Sequence, residues 1–268
     1  MILVFDIGNS NITIGAFEKK SCSRQEASSK AVDELIFTGR LVTDPKMDAQ
    51  TYEDLIKELV LNNSKDISDV EGSVIGSVVP DVTKSVAAAL KSLTGKKCNV
   101  VDSSTDYGLK VVMDDPKKVG TDLLIGAGYA ASKFEAPLCV VDLGTFTTLC
   151  YVSKDKEYQG TIIIPGIKTC ADSYTRAAQL FSFEIESPKV LLGRNTKDSM
   201  LSGLVYGAAS MIDGIIDRIE QEKGELKTVV ITGGFSGMLA PLLEREVIVY
   251  ENLLLDGLFW LYYNDDRA

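Results

Sequence analysis

Two short stretches hold the residues best suited to chemistry. The first is Asp6-Ile-Gly8-Asn9-Ser10-Asn11, which follows an apolar run over residues 2–5. The second is Asp142-Leu-Gly144-Thr145-Phe146-Thr147-Thr148, which follows an apolar run over residues 138–141. In each, a carboxylate ends the apolar run, a glycine comes two residues later, and amide or hydroxyl side chains follow. Glycine lacks the Cβ that would keep a phosphate away from the backbone. Clustered N–H and O–H donors are what a phosphate needs. A carboxylate such as Asp6 can hold Mg2+ directly or through water. Either stretch alone also reads as a plain hairpin turn, where Gly and Asn are common. The same design used twice at the same offset favours a phosphate site. Neither stretch carries Lys or Arg, so phosphate charge would be neutralised mainly by a divalent cation. Neither fits GxxxxGK[ST], which excludes a P-loop.

Three further motifs are weaker. Thr232-Gly233-Gly234 ends an apolar run, and adjacent glycines would let the backbone pass flat against a planar or phosphorylated ligand; a strand-to-helix turn explains them equally. Val119-Gly120-Thr121-Asp122-Leu123 reads as a helix start, with Asp122 favoured in the first turn by the helix dipole. It also offers Asp122 as the base that takes the proton of an acceptor alcohol. A loose phosphoryl-transfer transition state needs only a weak carboxylate base, and the chain has no histidine to serve instead. The third motif, residues 160–166, ends in Pro-Gly, a turn signal that would also suit the wall of a binding cleft.

The elements that must position these residues follow from periodicity. Residues 2–8 and 11–17 predict a strand and its returning hairpin partner, and residues 138–151 repeat that pattern. Residues 34–43, 73–79, 99–102 and 228–231 also read as strands. Residues 51–61, with Thr51 as cap, predict a helix, as do 81–93, 196–220 and 236–243. The least regular stretch is 105–118. These elements describe a duplicated α/β unit, with domains at 1–118 and 119–268.

Composition narrows the class. With 268 residues, 45% of them hydrophobic and 25% charged, the chain can fill real cores. A formal charge of −10 argues against nucleic-acid or anionic-membrane partners. The absence of histidine excludes Ser-His-Asp catalysis and His-ligated zinc. Five scattered cysteines form no CxxC pair, and Cys139 and Cys150 read as reduced core residues. No apolar run approaches the roughly 20 residues of a membrane span. A cytoplasmic setting is the expectation.

In order, Asp-x-Gly-Asn-Ser (6–10), Ser-Val-Val-Pro (77–80), Val-Gly-x-Asp (119–122), Val-Val-Asp-x-Gly-Thr-x-Thr-Thr (140–148), Ile-x-Pro-Gly (163–166), Ser-Gly-x-x-x-Gly (202–207) and Thr-Gly-Gly (232–234) resemble type III pantothenate kinases. The resemblance covers nearly the whole chain. It implies two duplicated actin-like (ribonuclease H-like) α/β domains with an ATP cleft between them, and a homodimer. It implies ATP-dependent phosphorylation of pantothenate, with Mg2+ and a monovalent cation, K+ or NH4+. On that reading Asp122 is the catalytic base and Asp6 the metal-linked acid. ATP contacts come from Asp6, Gly8, Asn9, Ser10, Asn11, Gly144, Thr145, Thr147, Gly233 and Gly234. Asp142 belongs to the monovalent-cation site.

The acceptor side departs from the family pattern. Leu123 stands where the family has an Arg, Met113 where it has an aromatic, Ala177 where it has a Thr, and Phe146 where it has a small residue. Acceptor contacts are therefore assigned to Met113, Gly120, Thr121, Asp122, Leu123 and Ala177. Losing an Arg–carboxylate fork would cost about 2–4 kcal/mol of acceptor binding. Three readings stand open: a pantothenate kinase with a remodelled acceptor site, a nucleotide-binding relative with a regulatory role, and a kinase for another small alcohol.

Overall fold

A computed structural model describes residues 1–18, 34–178 and 182–264. In chain order these residues form β1 (Ile2–Ile7), β2 (Asn11–Glu18), β3 (Glu34–Val42), α1 (Ala49–Asn62), β4 (Gly72–Ser77), α2 (Pro80–Thr94), β5 (Asn99–Val100), β6 (Lys110–Val111) and α3 (Thr121–Lys133). There follow β7 (Leu138–Leu143), β8 (Phe146–Val152), β9 (Glu157–Pro165), α4 (Ile167–Ala178), α5 (Thr196–Lys223), β10 (Thr228–Thr232), α6 (Ser236–Leu239), β11 (Ile248–Val249) and α7 (Leu253–Asn264). Cys22 lies outside the described residues.

The chain divides into two compact units. The first takes residues 1–107, 117–129 and the chain from 254 on; the second takes 108–116 and 130–253. The expected division was a single boundary between 118 and 119, whereas these units interleave along the chain. The reason lies in the packing of the first sheet, ordered β3-β2-β1-β4-β5. Alternate residues of a strand face opposite sides. Leu3, Phe5 and Ile7 join Tyr52, Ile56 and Val60 of α1 and Val82, Val86 and Leu90 of α2 in one core. The other face carries Val4, Asp6, Gly72 and Gly76, and is closed by α3 and α7. A Cβ at Gly72 would lie 2.1 Å from the Tyr262 hydroxyl, and one at Gly76 would lie 2.6 Å from Ile125 and 3.0 Å from Leu258. Phe17 stacks on Phe259 with ring centroids 4.5 Å apart. The sheet is thus covered on its second face by segments far away in sequence, which no linear boundary captures.

The second sheet is ordered β11-β10-β7-β8-β9-β6. Read from β9, its strands β9-β8-β7-β10-β11 repeat the order and directions of β3-β2-β1-β4-β5: antiparallel across the first three, parallel across the last three. Strand β6 adds an outer edge, pairing parallel with β9. Val141, Leu143 and Leu149 pack on Val205, Ile212 and Ile216 of α5. The α5 helix is long and apolar enough to cross a bilayer, and half of its most apolar window is buried inside the protein. Cys139 and Cys150 are buried thiols outside any disulfide among the described residues, as their apolar surroundings predict.

Local chemistry explains most element ends. The cap of α1 is Asp48, not Thr51. The Thr51 N–H and hydroxyl both donate to Asp48 Oδ1, at 2.9 and 2.8 Å. Pro80 opens α2, where its missing N–H costs nothing, and α2 ends at Gly95 with φ of 69°. The last turns of α5 are held by Arg245, which donates to Asp213 at 3.3 Å, to Glu220 at 3.2 Å and to Asp217.

The seating of α7 is directly testable. Phe259→Ala should lower unfolding free energy by about 3–5 kcal/mol, the usual loss for a buried aromatic. Urea denaturation followed by circular dichroism would measure it.

Candidate active site

Both acids stand at the carboxyl ends of central strands, the place where open α/β sheets bind ligands. Asp6 pairs across β1–β2 with Thr13, and Asp142 pairs across β7–β8 with Thr148. Their parallel neighbours are Gly76 and Thr232. The two hairpins are therefore the same device in the same register. They differ by one loop residue: Gly8 to Asn11 links the paired Ile7 and Ile12, whereas Gly144 to Phe146 links the paired Leu143 and Thr147. In each, the glycine N–H closes the turn on the carbonyl of the last loop residue, Gly8 to Asn11 at 3.0 Å and Gly144 to Phe146 at 3.1 Å.

The first hairpin exposes Asn9, Ser10 and Asn11 at its tip. It is held by Thr43, whose hydroxyl donates to the Gly8 carbonyl at 2.7 Å and whose N–H donates to the Ser10 carbonyl at 3.2 Å. Sequence reading missed Thr43 because its role exists only once β3 pairs with β2, putting Val42 opposite Asn11. A hydroxyl residue directly after an apolar strand was the only signal.

The second hairpin is pinned from two sides. Gly166 donates to the Thr145 carbonyl at 3.1 Å, and a Cβ there would sit 2.4 Å from the Gly144 carbonyl oxygen. Gly233 adopts φ of 91°, and a Cβ on it would sit 2.7 Å from Asp142 Oδ1 and from the backbone of Leu143. A Cβ on Gly144 would come within 3.6 Å of Asp142 Oδ1. Asp142, Gly144 and Gly233 thus converge. Gly234 faces open space, with nothing within 4 Å of an added Cβ. Thr145 is exposed at the tip. Thr147 is 2% exposed and lies on the face away from Asp142, paired with Leu143. Thr148, which is partly buried, is the hydroxyl residue on the face of Asp142.

Asp122 lies in the first turn of α3, over the ends of β1 and β4 in the first unit. The Thr121 hydroxyl donates to the Ser77 carbonyl at 3.0 Å, tying the helix start to β4. Ser77 is itself bonded to Thr83 at 2.7 Å. The carboxylate fills the space beside Gly120, where a Cβ would lie 2.4 Å from Asp122 Oδ1. The Leu123 N–H donates to Asp122 Oδ1 at 2.9 Å. Burial pushes the Asp122 pKa above the ordinary aspartate value, against the lowering effect of these backbone N–H groups. Such a raised carboxylate in a helix start is a candidate base. Leu123 is partly buried beside it; Met113 is partly buried in the other unit. Ala177 falls in α4, and its side chain lies outside the described residues.

The donor set fits a metal-bound polyphosphate. Each hairpin offers one carboxylate, a glycine with room above it, and exposed polar side chains. Among the described residues no three Asp, Glu or Cys side chains gather to hold a metal unaided. A cation here would take its remaining ligands from phosphate or water.

A family profile for type III pantothenate kinase matches residues 2–218. A type III pantothenate kinase from Exiguobacterium sibiricum is 34% identical over 263 residues, 98% of each chain. One from Finegoldia magna is 35% identical over 262 residues, 96% of this chain and 95% of that one. Among solved structures, the activator of 2-hydroxyisocaproyl-CoA dehydratase from Clostridium difficile with bound ADPNP superposes with a TM-score of 0.54 at 11% identity, over 97% of this chain and 93% of that one. Component A of (R)-2-hydroxyglutaryl-CoA dehydratase from Acidaminococcus fermentans gives 0.54 at 14% identity, over 97% and 96%. The fold is the actin-like one that the family resemblance implied.

The two glycines of the Thr232 turn should behave oppositely. Gly233→Ala meets both a positive φ and the Asp142 carboxylate, and should cost about 1–3 kcal/mol. Gly234→Ala should be nearly silent. Paired thermal melts of the two variants make the comparison.

Proposed function

Because the chain belongs to the type III pantothenate kinase family, we propose that it works through Asp122 as general base and through the Asp6 and Asp142 hairpins as phosphate holders. It is an ATP-dependent kinase that phosphorylates pantothenate, the first step of coenzyme A biosynthesis. A divalent metal accompanies ATP and neutralises phosphate charge that the hairpins, lacking Lys and Arg, leave uncovered.

One observation carries the residue assignments: the two hairpins repeat an acid opposite a threonine, followed by a glycine turn, in identical strand register. Asp6 holds the divalent metal. Gly8, Asn9, Ser10 and Asn11 on one hairpin, and Gly144, Thr145 and Thr148 on the other, receive phosphate oxygens. Gly233 brings its backbone against Asp142, beside the adenosine side of the nucleotide. A monovalent activator, K+ or NH4+, is assigned to the Asp142 carboxylate.

In the reaction, the acceptor hydroxyl oxygen forms a bond to the γ-phosphorus as the bond to ADP breaks, and Asp122 takes the hydroxyl proton. Burial makes Asp122 a stronger base than an exposed aspartate. Thr121, fixed to Ser77, anchors the helix start, and the Leu123 N–H holds the carboxylate by donating to Asp122 Oδ1. Leu123 gives the surroundings of Asp122 an apolar character. A homodimer is part of this reading. It is supported by large apolar side chains in water on the second unit, with Leu192 84% and Leu191 64% exposed.

Asp122→Asn tests the assignment. It should lower kcat by roughly 10²–10⁴ and remove the acid limb of the pH–rate profile, whose midpoint lies above the ordinary aspartate value of about 4. Its stability should move the other way. A raised folded-state pKa gives stability that is complete below the unfolded value and is lost as pH rises through the folded one. The variant should therefore melt like the wild type in acid and above it at neutral pH. A variant that kept full turnover, or an unchanged pH profile, would remove Asp122 from the base role.

A further inference from the structure

Phe146 is an aromatic ring held in water at the tip of the second hairpin. It is 49% exposed, while Leu143, Thr147 and Leu149 around it are buried. The turn does not require it. In the first unit Asn11 closes the corresponding glycine bond through its backbone carbonyl, at 3.0 Å against 3.1 Å for Phe146. An amide and an aromatic ring thus serve the same hairpin equally well, which leaves the ring available for another purpose.

Its direction and its neighbours are set by register. Asp142 pairs with Thr148, and Thr148 with Ile163; two residues along, Phe146 pairs with Pro165. Paired residues share a face, and so do residues two apart. Phe146, Pro165 and Ile163 therefore lie on the Asp142 face of the sheet. All three are exposed, Ile163 by 59%. The loop that carries Phe146 is immobilised by the Gly166 contact with Gly144 and Thr145. The second hairpin thus joins a polar tip and a carboxylate to a fixed apolar rim on one sheet face.

We propose that Phe146, continued by Pro165 and Ile163, shields the phosphoryl group held at this hairpin from water and so directs transfer to the alcohol. The inference rests on the reading that Gly144, Thr145 and Thr148 hold phosphate. In both competing reactions the γ-phosphorus parts from ADP. With the alcohol, a new P–O bond forms to its hydroxyl oxygen and the proton goes to Asp122. With water, the products are ADP and inorganic phosphate. An apolar rim that excludes solvent suppresses the second route without touching the first. Phe146 is then a positioning residue that sets the ratio of the two.

The test uses the full-length protein with ATP and Mg2+, and measures ADP, inorganic phosphate and phosphopantothenate together, with and without pantothenate. Phe146→Asn copies the first hairpin. It should raise the ratio of inorganic phosphate to phosphopantothenate about tenfold, with KM for ATP little changed. Phe146→Leu, which keeps an apolar side chain, should stay near the wild type, and Ile163→Ser should shift the ratio in the same direction as Phe146→Asn but less. A ratio unchanged in Phe146→Asn overturns the proposal. So does a rise in KM for ATP alone, which would make the ring a nucleotide contact. Should the wild type release ADP but make no phosphopantothenate, the acceptor assignment falls while the shield is still judged. Faster release of inorganic phosphate by Phe146→Asn then supports it, and an unchanged rate sinks it.

Discussion

A carboxylate ending a buried central strand, with a glycine turn directly after it, is the constraint around which each unit is arranged. Asp6 and Asp142 lie on strands interior to their sheets, yet each stands at the strand end where the chain must turn back. The hairpin resolves this by reversing the chain at once, so that the acid faces a threonine across an antiparallel pair and a glycine or threonine across a parallel one. The rest of each sheet fixes that geometry. The α1 and α2 helices hold one face of the first sheet, and α5 holds the corresponding face of the second. The faces that carry the acids are left for closer work by other elements.

That division explains why the two hairpins share a backbone plan and differ in what surrounds them. The first is tied by Thr43, the second by Gly166 and Gly233. Thr43 supplies hydrogen bonds from an adjacent strand to loop carbonyls. The two glycines instead permit direct backbone contact, which a single methyl group would prevent at 2.4–2.7 Å. Asp122 belongs to the same economy of local burial. Its helix start is anchored through Thr121 and Ser77, and the burial that raises its basicity also makes its charge costly to the fold.

Some of the site was legible because the signal was local. A hairpin is specified by a few residues, so the repeated acid, glycine and hydroxyl pattern located both hairpin turns. Likewise the apolar surroundings of Cys139 and Cys150 announced buried thiols. Errors came where a one-residue shift changes the outcome. The second loop is shorter by one residue, which turns Thr147 away from the acid and brings Thr148 towards it. At α1 the cap fell on Asp48 rather than Thr51, because two groups of Thr51 donate to the Asp48 carboxylate instead of capping themselves.

The sequence by itself determined the duplicated α/β plan, the placement of both acids at strand ends and a helix start at Asp122, since these follow from periodicity and short-range turn chemistry. Tertiary structure alone decided the composition of the two units and the burial of Asp122. It also decided the clasp on the first loop by Thr43 and the face on which Phe146 stands. The physical reason is that these depend on contacts between residues distant along the chain. The covering of β2 by α7, through Phe17 and Phe259, joins positions near opposite ends of the polypeptide. No local periodicity encodes such a contact; it arises when two apolar surfaces find each other and exclude water.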